Sequence, residues 1–325
     1  MLKKLKNGNK VFLSKAITLS ESGLPKDRKI INSILAKTNH TTKRTIRIGI
    51  TGSPGVGKST FIETFGEFLT KKGLKIAVLA VDPSSMVTKG SILGDKTRME
   101  QLSKNDLAFI RPSPAGEQLG GVAKRTKESI LLCELAGFDI ILVETVGIGQ
   151  SEVMVKDMTD VFLLLLQPGA GDELQGIKKG VVELADILVV NKMDGDKKDL
   201  AKKTKASYAS ALHLFLKDKN DWQAKVLACS ALKNENIDAI WKSIKDYEKH
   251  QKKQNLFEQT RINQNLKYFR TCIKEDLFAS ILEKLTLEED CEKLETQIAK
   301  GKLSSFKAIQ KIKDLFTEKI NIKNS

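Results

Sequence analysis

Residues 52–59 read Gly-Ser-Pro-Gly-Val-Gly-Lys-Ser and match the phosphate-loop pattern G-x-x-x-x-G-K-S in full. An apolar run at 47–51 precedes the loop, and residues 60–69 after it carry apolar side chains at helical spacing. Between a buried strand and a helix, such a loop turns its backbone N–H groups towards a phosphate, and the helix N-terminus adds partial positive charge. The pattern therefore predicts a nucleotide-phosphate cradle made by Gly52, Pro54, Gly55, Val56, Gly57, Lys58, Ser59 and Thr60.

Two side chains of this loop have predicted roles in chemistry. Lys58 is expected to reach the β and γ phosphates, and the Ser59 hydroxyl is expected to ligate Mg²⁺.

Apolar runs recur along the chain at 47–51, 75–81, 107–110, 139–143, 161–166, 187–190 and 225–228. Helical patterns separate them, for example at 122–136 and 201–216. Strands that alternate with helices form a parallel sheet with helices on both faces, and strands covered on both faces are mostly apolar. We therefore predict an α/β fold, a doubly wound and mostly parallel sheet, over residues 45–245.

The two ends of the chain lack this alternation. Residues 1–44 are typical of a basic helical extension. Residues 246–325 show no strand pattern, and their apolar residues recur at helical spacing, with Gly301 expected to separate the last two helices. This helical arm has too little apolar surface to fold alone, so we expect it to pack on the nucleotide-binding domain or on another subunit.

Charge and composition limit the compartment and the partners. The formal net charge is +15, and residues 1–45 hold eleven Lys or Arg against Glu21 and Asp27. Beyond Phe12 no aromatic residue lies among these cations, which favours a solvated surface over nucleic-acid binding.

The four cysteines form no C-x-x-C pair, and no apolar run approaches the roughly 20 residues of a membrane helix. Because lysine and asparagine also interrupt any signal-peptide core at the N-terminus, we expect a cytoplasmic protein without a membrane span.

The base of the nucleotide is indicated by Asn191-Lys192-Met193-Asp194, an N-K-x-D pattern directly after a predicted strand. The Asp194 carboxylate can accept from N1–H and N2–H of guanine, which adenine lacks. Asn191 can bond the base and brace the loop, and the stem of Lys192 can lie along the ring. After the last strand come Ser230, Ala231 and Leu232, where a backbone N–H can contact guanine O6. These residues predict GTP and GDP as ligands.

Acidic residues at other strand ends are candidates for the catalytic centre. Glu144 and Gly147 stand where a D-x-x-G motif would, so that Glu144 can bind the Mg²⁺ water shell and the Gly147 N–H can sense the γ-phosphate. Asp82 is a second candidate for Mg²⁺ or the nucleophilic water. A strand-end glutamate and a turn aspartate are the plainer alternatives. The glycine-rich segments 90–96 and 167–178 read as mobile switches or as ordinary loops.

Longer runs of sequence resemble one family. They are 81–85 (Val-Asp-Pro-Ser-Ser), 90–99 (Gly-Ser-Ile-Leu-Gly-Asp-Lys-Thr-Arg-Met), 119–123 (Leu-Gly-Gly-Val-Ala), 144–147 (Glu-Thr-Val-Gly), 169–179 (Gly-Ala-Gly-Asp-Glu-Leu-Gln-Gly-Ile-Lys-Lys) and 191–196 (Asn-Lys-Met-Asp-Gly-Asp). Together they resemble the methylmalonyl-CoA mutase-associated GTPases, the MeaB/MMAA proteins, which are also labelled ArgK or LAO/AO transport ATPase. The resemblance covers residues 45–245. One departure is Lys89, which stands where the family usually has glycine and bears on switch mobility.

The resemblance implies a GTP hydrolase that acts as chaperone of an adenosylcobalamin-dependent acyl-CoA mutase, gating cofactor loading and protecting or reactivating the mutase. It also implies a homodimer formed through the C-terminal arm. It assigns Lys58 and Ser59 to phosphate and Mg²⁺, and Asp82, Asp95 and Glu144 to the magnesium and water site. Asp172, Gln175 and Lys178 would be the signalling side chains of a third switch that responds to the mutase.

The sequence leaves two other classes of GTPase open. A metallochaperone-type GTPase shares the Glu-x-x-Gly arrangement but needs Cys or His clusters near the switches, and the sequence has none there. A ribosome- or RNA-associated GTPase would use the basic N-terminal extension, and a steep salt dependence of RNA affinity would favour it.

Overall fold

The computed structural model describes residues 1–22, 24–37, 45–81, 99–113, 119–145, 151–169, 179–213 and 222–324. The chain forms two compact units, Met1–Gln264 and Asn265–Ser325. The first unit contains every described residue with a predicted role in nucleotide binding, and the described part of the second consists of helices joined by turns.

The first unit is built on one sheet of seven parallel strands in the order β3-β2-β4-β1-β5-β6-β7. The strands are β1 (Ile46–Gly52), β2 (Ile76–Val81), β3 (Ala108–Ser113), β4 (Ile140–Thr145), β5 (Val161–Leu166), β6 (Ile187–Val190) and β7 (Lys225–Ala228). The predicted doubly wound α/β sheet is confirmed, and all seven predicted strand runs are strands. All residues of β1, β2, β4, β5 and β6 are buried, as their near-continuous apolar sequences require.

Helices of the first unit cover both faces of the sheet, and further helices form the second unit. In chain order they are α1 (Leu2–Lys6), α2 (Lys10–Glu21), α3 (Pro25–Leu35), α4 (Lys58–Lys71), α5 (Glu100–Ser103), α6 (Leu119–Leu135), α7 (Ser151–Lys156), α8 (Lys179–Leu184), α9 (Lys198–His213), α10 (Ile237–Lys253), α11 (Leu256–Lys284), α12 (Glu288–Ala299) and α13 (Ser305–Asn324). One core packs α4 and α10 on the sheet, and a second core packs α2, α6 and α7 on the opposite face.

The basic N-terminal extension is part of the second core. Leu5, Leu13 and Ile17 are fully buried there, although lysines dominate the surrounding sequence. Two ion pairs hold the extension to the rest of the first unit: Arg28 donates to Glu128 on α6, and Glu21 accepts from Arg111 on β3. The described part of the extension is therefore helical, as predicted, and its apolar face packs against the rest of the first unit.

The second unit contains the end of α11 together with α12 and α13. Leu285, Leu287, Leu294 and Ala308 are buried, and Lys319 on α13 forms an ion pair with Asp290 on α12 at 2.8 Å. Gly301, in the left-handed region at φ +66°, lies between α12 and α13, as the sequence predicted. Among the described helices, none combines the length and the apolar content that crossing a membrane requires.

A cluster of buried charges lies at the amino ends of β1 and β5. Asp160 accepts from the Arg47 backbone N–H at 2.8 Å and from Arg261 on α11 at 2.8 and 2.6 Å. Arg47 also pairs with Glu134 on α6 at 2.7 Å. Lys127 is only 3% exposed, and its ammonium group interacts electrostatically with these four charged groups. In the described structure its Nζ has no hydrogen-bond partner. Burial, reinforced by Arg47 and opposed by Glu134 and Asp160, lowers the pKa of Lys127 to about 7.

The free energy of unfolding should increase with pH above pH 7 in the wild type, and Lys127→Met should remove this increase. An unfolded lysine keeps its proton up to about pH 10.4, so between pH 7 and that value the unfolded state of the wild type binds one more proton than the folded state. The wild-type free energy of unfolding should therefore rise by up to about 1.4 kcal/mol per pH unit in this window. The methionine variant should lack this increment and be the more stable protein near pH 7.

Urea unfolding at half-unit steps of pH checks this expectation. Lys71→Met is the matched control, because the Lys71 side chain on α4 is 74% exposed. If the free energy of unfolding changes with pH in the same way in the wild type and in Lys127→Met, Lys127 is not neutralised by burial.

Candidate functional site

The phosphate loop leaves the carboxyl end of β1 and ends at the first turn of α4, as its sequence predicted. Gly57 lies in the left-handed region at φ +91°, and a Cβ there would come within 2.8 Å of the Asn191 side-chain nitrogen. A Cβ on Gly52 would come within 2.6 Å of the Leu165 carbonyl oxygen. At both positions a side chain would collide with fixed neighbours, so the glycines are needed for close packing as well as for turning N–H groups inward.

Lys58 is held beneath the loop. Its Nζ donates to the carbonyl oxygens of Gly52 at 2.8 Å and Ser53 at 3.3 Å. Burial lowers the pKa of Lys58, and the carboxylates of Glu144 and Glu152 oppose that shift. Glu144, at the end of β4, is itself buried. The structure thus brings the predicted phosphate lysine and the predicted carboxylate into one electrostatic environment.

Asn191 connects the phosphate loop to the predicted base-binding loops. Its side chain is 2% exposed, and its Nδ2 donates to the Val56 carbonyl oxygen at 3.0 Å. Its Oδ1 accepts from the Ala231 backbone N–H at 3.1 Å and from the Cys229 thiol at 3.6 Å. The predicted bracing role of Asn191 therefore has a specific form: one amide joins three loops.

Lys192 makes a second link to the phosphate loop. It lies in the left-handed region at φ 59°, and its Nζ donates to the Gly55 carbonyl oxygen at 2.5 Å. The Gln167 side chain, at the end of β5, donates to the Pro54 carbonyl oxygen at 3.3 Å. The loop is thus supported from the ends of both β5 and β6.

The Asp194 carboxylate and the Ser230 hydroxyl form a short hydrogen bond. The Ser230 hydroxyl also accepts from the Lys233 backbone N–H at 3.0 Å, so the turn after β7 is closed around it. Leu232 is largely exposed, and the Ala231 N–H is taken by Asn191. The residues predicted to read guanine therefore lie together at the carboxyl ends of β6 and β7, next to the phosphate loop.

Two side chains of this network were not predicted. Burial, with the Asp194 charge, raises the pKa of the Cys229 thiol to about 12, so it stays a neutral donor to Asn191. The only sequence signal for Cys229 is that it precedes the Ser-Ala pair. Gln167 lies at the start of a predicted switch segment, but its contact with Pro54 has no sequence signal.

Ser59 is half-buried on the first turn of α4, and Thr60, next to it, is exposed. The other predicted site residues lie outside the described residues: Asp82, Asp95, Gly147, Asp172, Gln175 and Lys178, together with Lys89. Their roles stay predictions.

Comparison with known proteins agrees with this geometry. The family model described as "Methylmalonyl Co-A mutase-associated GTPase MeaB" matches residues 13–286. The chain is 44% identical to the GTPase ArgK of Escherichia coli K12, covering 90% of this chain and 87% of that protein. It is 41% identical to the mouse protein named methylmalonic aciduria type A homolog, mitochondrial, covering 94% and 76% respectively. A crystal structure described as LAO/AO transport system kinase superposes with a TM-score of 0.74 at 34% identity, covering 97% of this chain and 96% of that one.

Asp194→Asn should weaken GDP binding by about 2–4 kcal/mol, because it removes charge-assisted hydrogen bonds in a desolvated site. The same change should improve binding of xanthosine diphosphate, whose O2 can accept where guanine donates. Titration calorimetry with both nucleotides measures the exchange. Asp196→Asn, an exposed carboxylate two positions along, is the control. Unchanged GDP affinity in Asp194→Asn would show that Asp194 does not recognise the base.

Proposed function

The chain belongs to the methylmalonyl-CoA mutase-associated GTPase family, and from that membership we propose that it is the chaperone of an adenosylcobalamin-dependent acyl-CoA mutase. As a GTPase it hydrolyses GTP to GDP and phosphate. In the proposal, this hydrolysis gates the loading of the cofactor onto the mutase and protects or reactivates the mutase. The family match over residues 13–286 carries the proposal, because it spans both the phosphate loop and the base-binding loops.

The described residues support a division of labour at the nucleotide. Lys58 and the phosphate-loop N–H groups would hold the phosphates, and Asn191, Lys192 and Asp194 would hold guanine. Ser230, Ala231 and Leu232 would close the base pocket. Because Asn191 contacts the phosphate loop directly, one buried amide couples the base subsite to the phosphate subsite.

We propose that the nucleotide site also binds Mg²⁺. The Ser59 hydroxyl on the first turn of α4 and the buried Glu144 carboxylate offer the oxygen donors that Mg²⁺ prefers, with Asp82 as a further candidate from sequence. When bound, Mg²⁺ would neutralise charge that develops on the phosphate oxygens during transfer. Asp95 and the Gly147 N–H would complete the water and γ-phosphate contacts. A cytoplasmic location and the absence of nucleic-acid partners stay predictions from the sequence.

The second unit supports dimer formation. Leu266, Phe269, Ile273 and Leu277 recur every three or four residues on α11, and each is at least 40% exposed. Spacing of this kind places the four side chains on one helix face, and a continuous apolar face of this length is typical of an interface. We propose that a second copy of the chain covers it.

Ile273→Glu should convert a dimer into a monomer, because it buries a charge in the proposed apolar interface. Light scattering on the full chain should give twice 36.1 kDa for the wild type and 36.1 kDa for the variant. Thr271→Glu places the same charge on an exposed neighbour and should stay dimeric. A monomeric wild type would contradict the proposed dimer.

GTP turnover with and without a purified acyl-CoA mutase tests the proposed partnership. We expect the mutase to stimulate turnover, and we expect Lys178→Ala to lose most of that stimulation while its basal rate stays within a few-fold of wild type. A residue that stabilises only the partner-bound switch changes coupling and leaves nucleotide binding in the absence of the partner unchanged.

Lys179→Ala, at the adjacent lysine, is the control for loss of positive charge. Equal stimulation of wild type and Lys178→Ala would show that Lys178 does not couple the mutase to GTP turnover. Absence of stimulation in the wild type would contradict the partnership itself.

A further inference from the structure

A buried pair of threonine hydroxyls joins the two central strands of the sheet at their carboxyl ends. Thr145 Oγ1 donates to Thr51 Oγ1 at 2.8 Å, and both residues have no exposed surface. Thr51 is followed by Gly52, the first residue of the phosphate loop, and Thr145 follows Glu144. The pair therefore lies where the phosphate loop and the candidate catalytic carboxylate leave the sheet.

The hydroxyl pair continues the link between β1 and β4 beyond their paired positions. Those positions run from Ile46↔Ile140 to Ile50↔Glu144. At the next level, β1 pairs with β5 through Thr51↔Leu164, and β4 pairs with β2 through Val81↔Thr145. Each strand end is thus held on its outer side by a backbone ladder, and the side-chain hydrogen bond holds the two ends to each other.

The alternation of side chains places the hydroxyl pair and Glu144 on opposite faces of the sheet. Ile50 and Leu142 belong to the core beneath α4, and Val143 belongs to the opposite core with Val155 of α7. By this alternation Glu144 is on the side of α4, where its charge acts on Lys58. The two hydroxyls lie on the side of α7, on the sheet face opposite Glu144.

We propose that the Thr51–Thr145 hydroxyl pair is a positioning device of the GTPase reaction, which fixes the distance between the phosphate loop and Glu144. A hydroxyl pair is a directional contact, so it sets the separation of two strand ends more narrowly than apolar packing does. Both threonines are placed as positioning residues, on the sheet face opposite Glu144. The pair acts through Gly52 on one strand and through Glu144 on the other.

The test uses the full chain and its intrinsic GTP turnover, without any mutase. Thr145→Val removes the donor and keeps the shape of the side chain. We expect kcat to fall about five- to tenfold, the size of one net hydrogen bond, while the GDP dissociation constant stays within about threefold. Thr145→Ser keeps the hydroxyl and should keep kcat within about twofold of the wild type.

The double variant Thr51→Val/Thr145→Val separates positioning from stability. Each single valine leaves one buried hydroxyl without its partner, which destabilises the fold, whereas removal of both polar groups together is nearly neutral. We therefore expect the melting temperature of the double variant to recover towards wild type while its kcat stays as low as that of Thr145→Val.

Thr45→Val is the matched control, because Thr45 also makes a buried hydroxyl contact, to the Phe138 carbonyl oxygen at 2.8 Å, just before the amino end of β1. It should lower stability and leave kcat unchanged. Recovery of kcat in the double variant, or a kcat within twofold of wild type in Thr145→Val, would show that the pair serves stability alone. Either result leaves the proposed mutase partnership untouched, since no mutase takes part.

Discussion

The side-chain amide of Asn191 is the interaction on which the nucleotide site depends. It donates to the Val56 carbonyl oxygen, and it accepts from the Ala231 backbone N–H and the Cys229 thiol. These contacts join the ends of β1, β6 and β7 through one group that is almost completely buried. A buried amide leaves unsatisfied groups if any of the three loops moves, so the loops are constrained to move together.

The parallel sheet supplies the geometry in which such contacts are possible. All seven strands end at one edge. The phosphate loop, Asn191 and Ser230 each follow a strand that ends there, and Glu144 lies near the carboxyl end of β4 at the same edge. The opposite edge carries the Arg47, Asp160 and Arg261 cluster, which ties α11 to the amino ends of β1 and β5. Phosphate binding and anchoring of α11 therefore use opposite ends of the same two strands.

The sequence predicted the elements better than the contacts between them. Apolar runs and glycine-rich turns are local signals, so all seven strands and the phosphate loop were predicted where the structure has them, and the N-K-x-D residues follow β6 as predicted. The Asn191–Val56 contact spans 135 positions, and the Thr51–Thr145 contact spans 94, and no local pattern marks either one. The N-terminal extension shows the same limit: its lysines suggest only a solvated surface, whereas Leu5, Leu13 and Ile17 fill a core.

Competition between GDP and ADP for the wild-type protein tests the central claim most directly, which is that the braced loops form a guanine-specific site. A site built to hydrogen-bond one base leaves buried polar groups unpaired with another, so discrimination of about 10⁴-fold is the scale to expect. ADP should displace bound GDP only at concentrations at least about a thousandfold higher than that of GDP itself. Displacement by ADP at concentrations within tenfold of GDP would contradict guanine specificity.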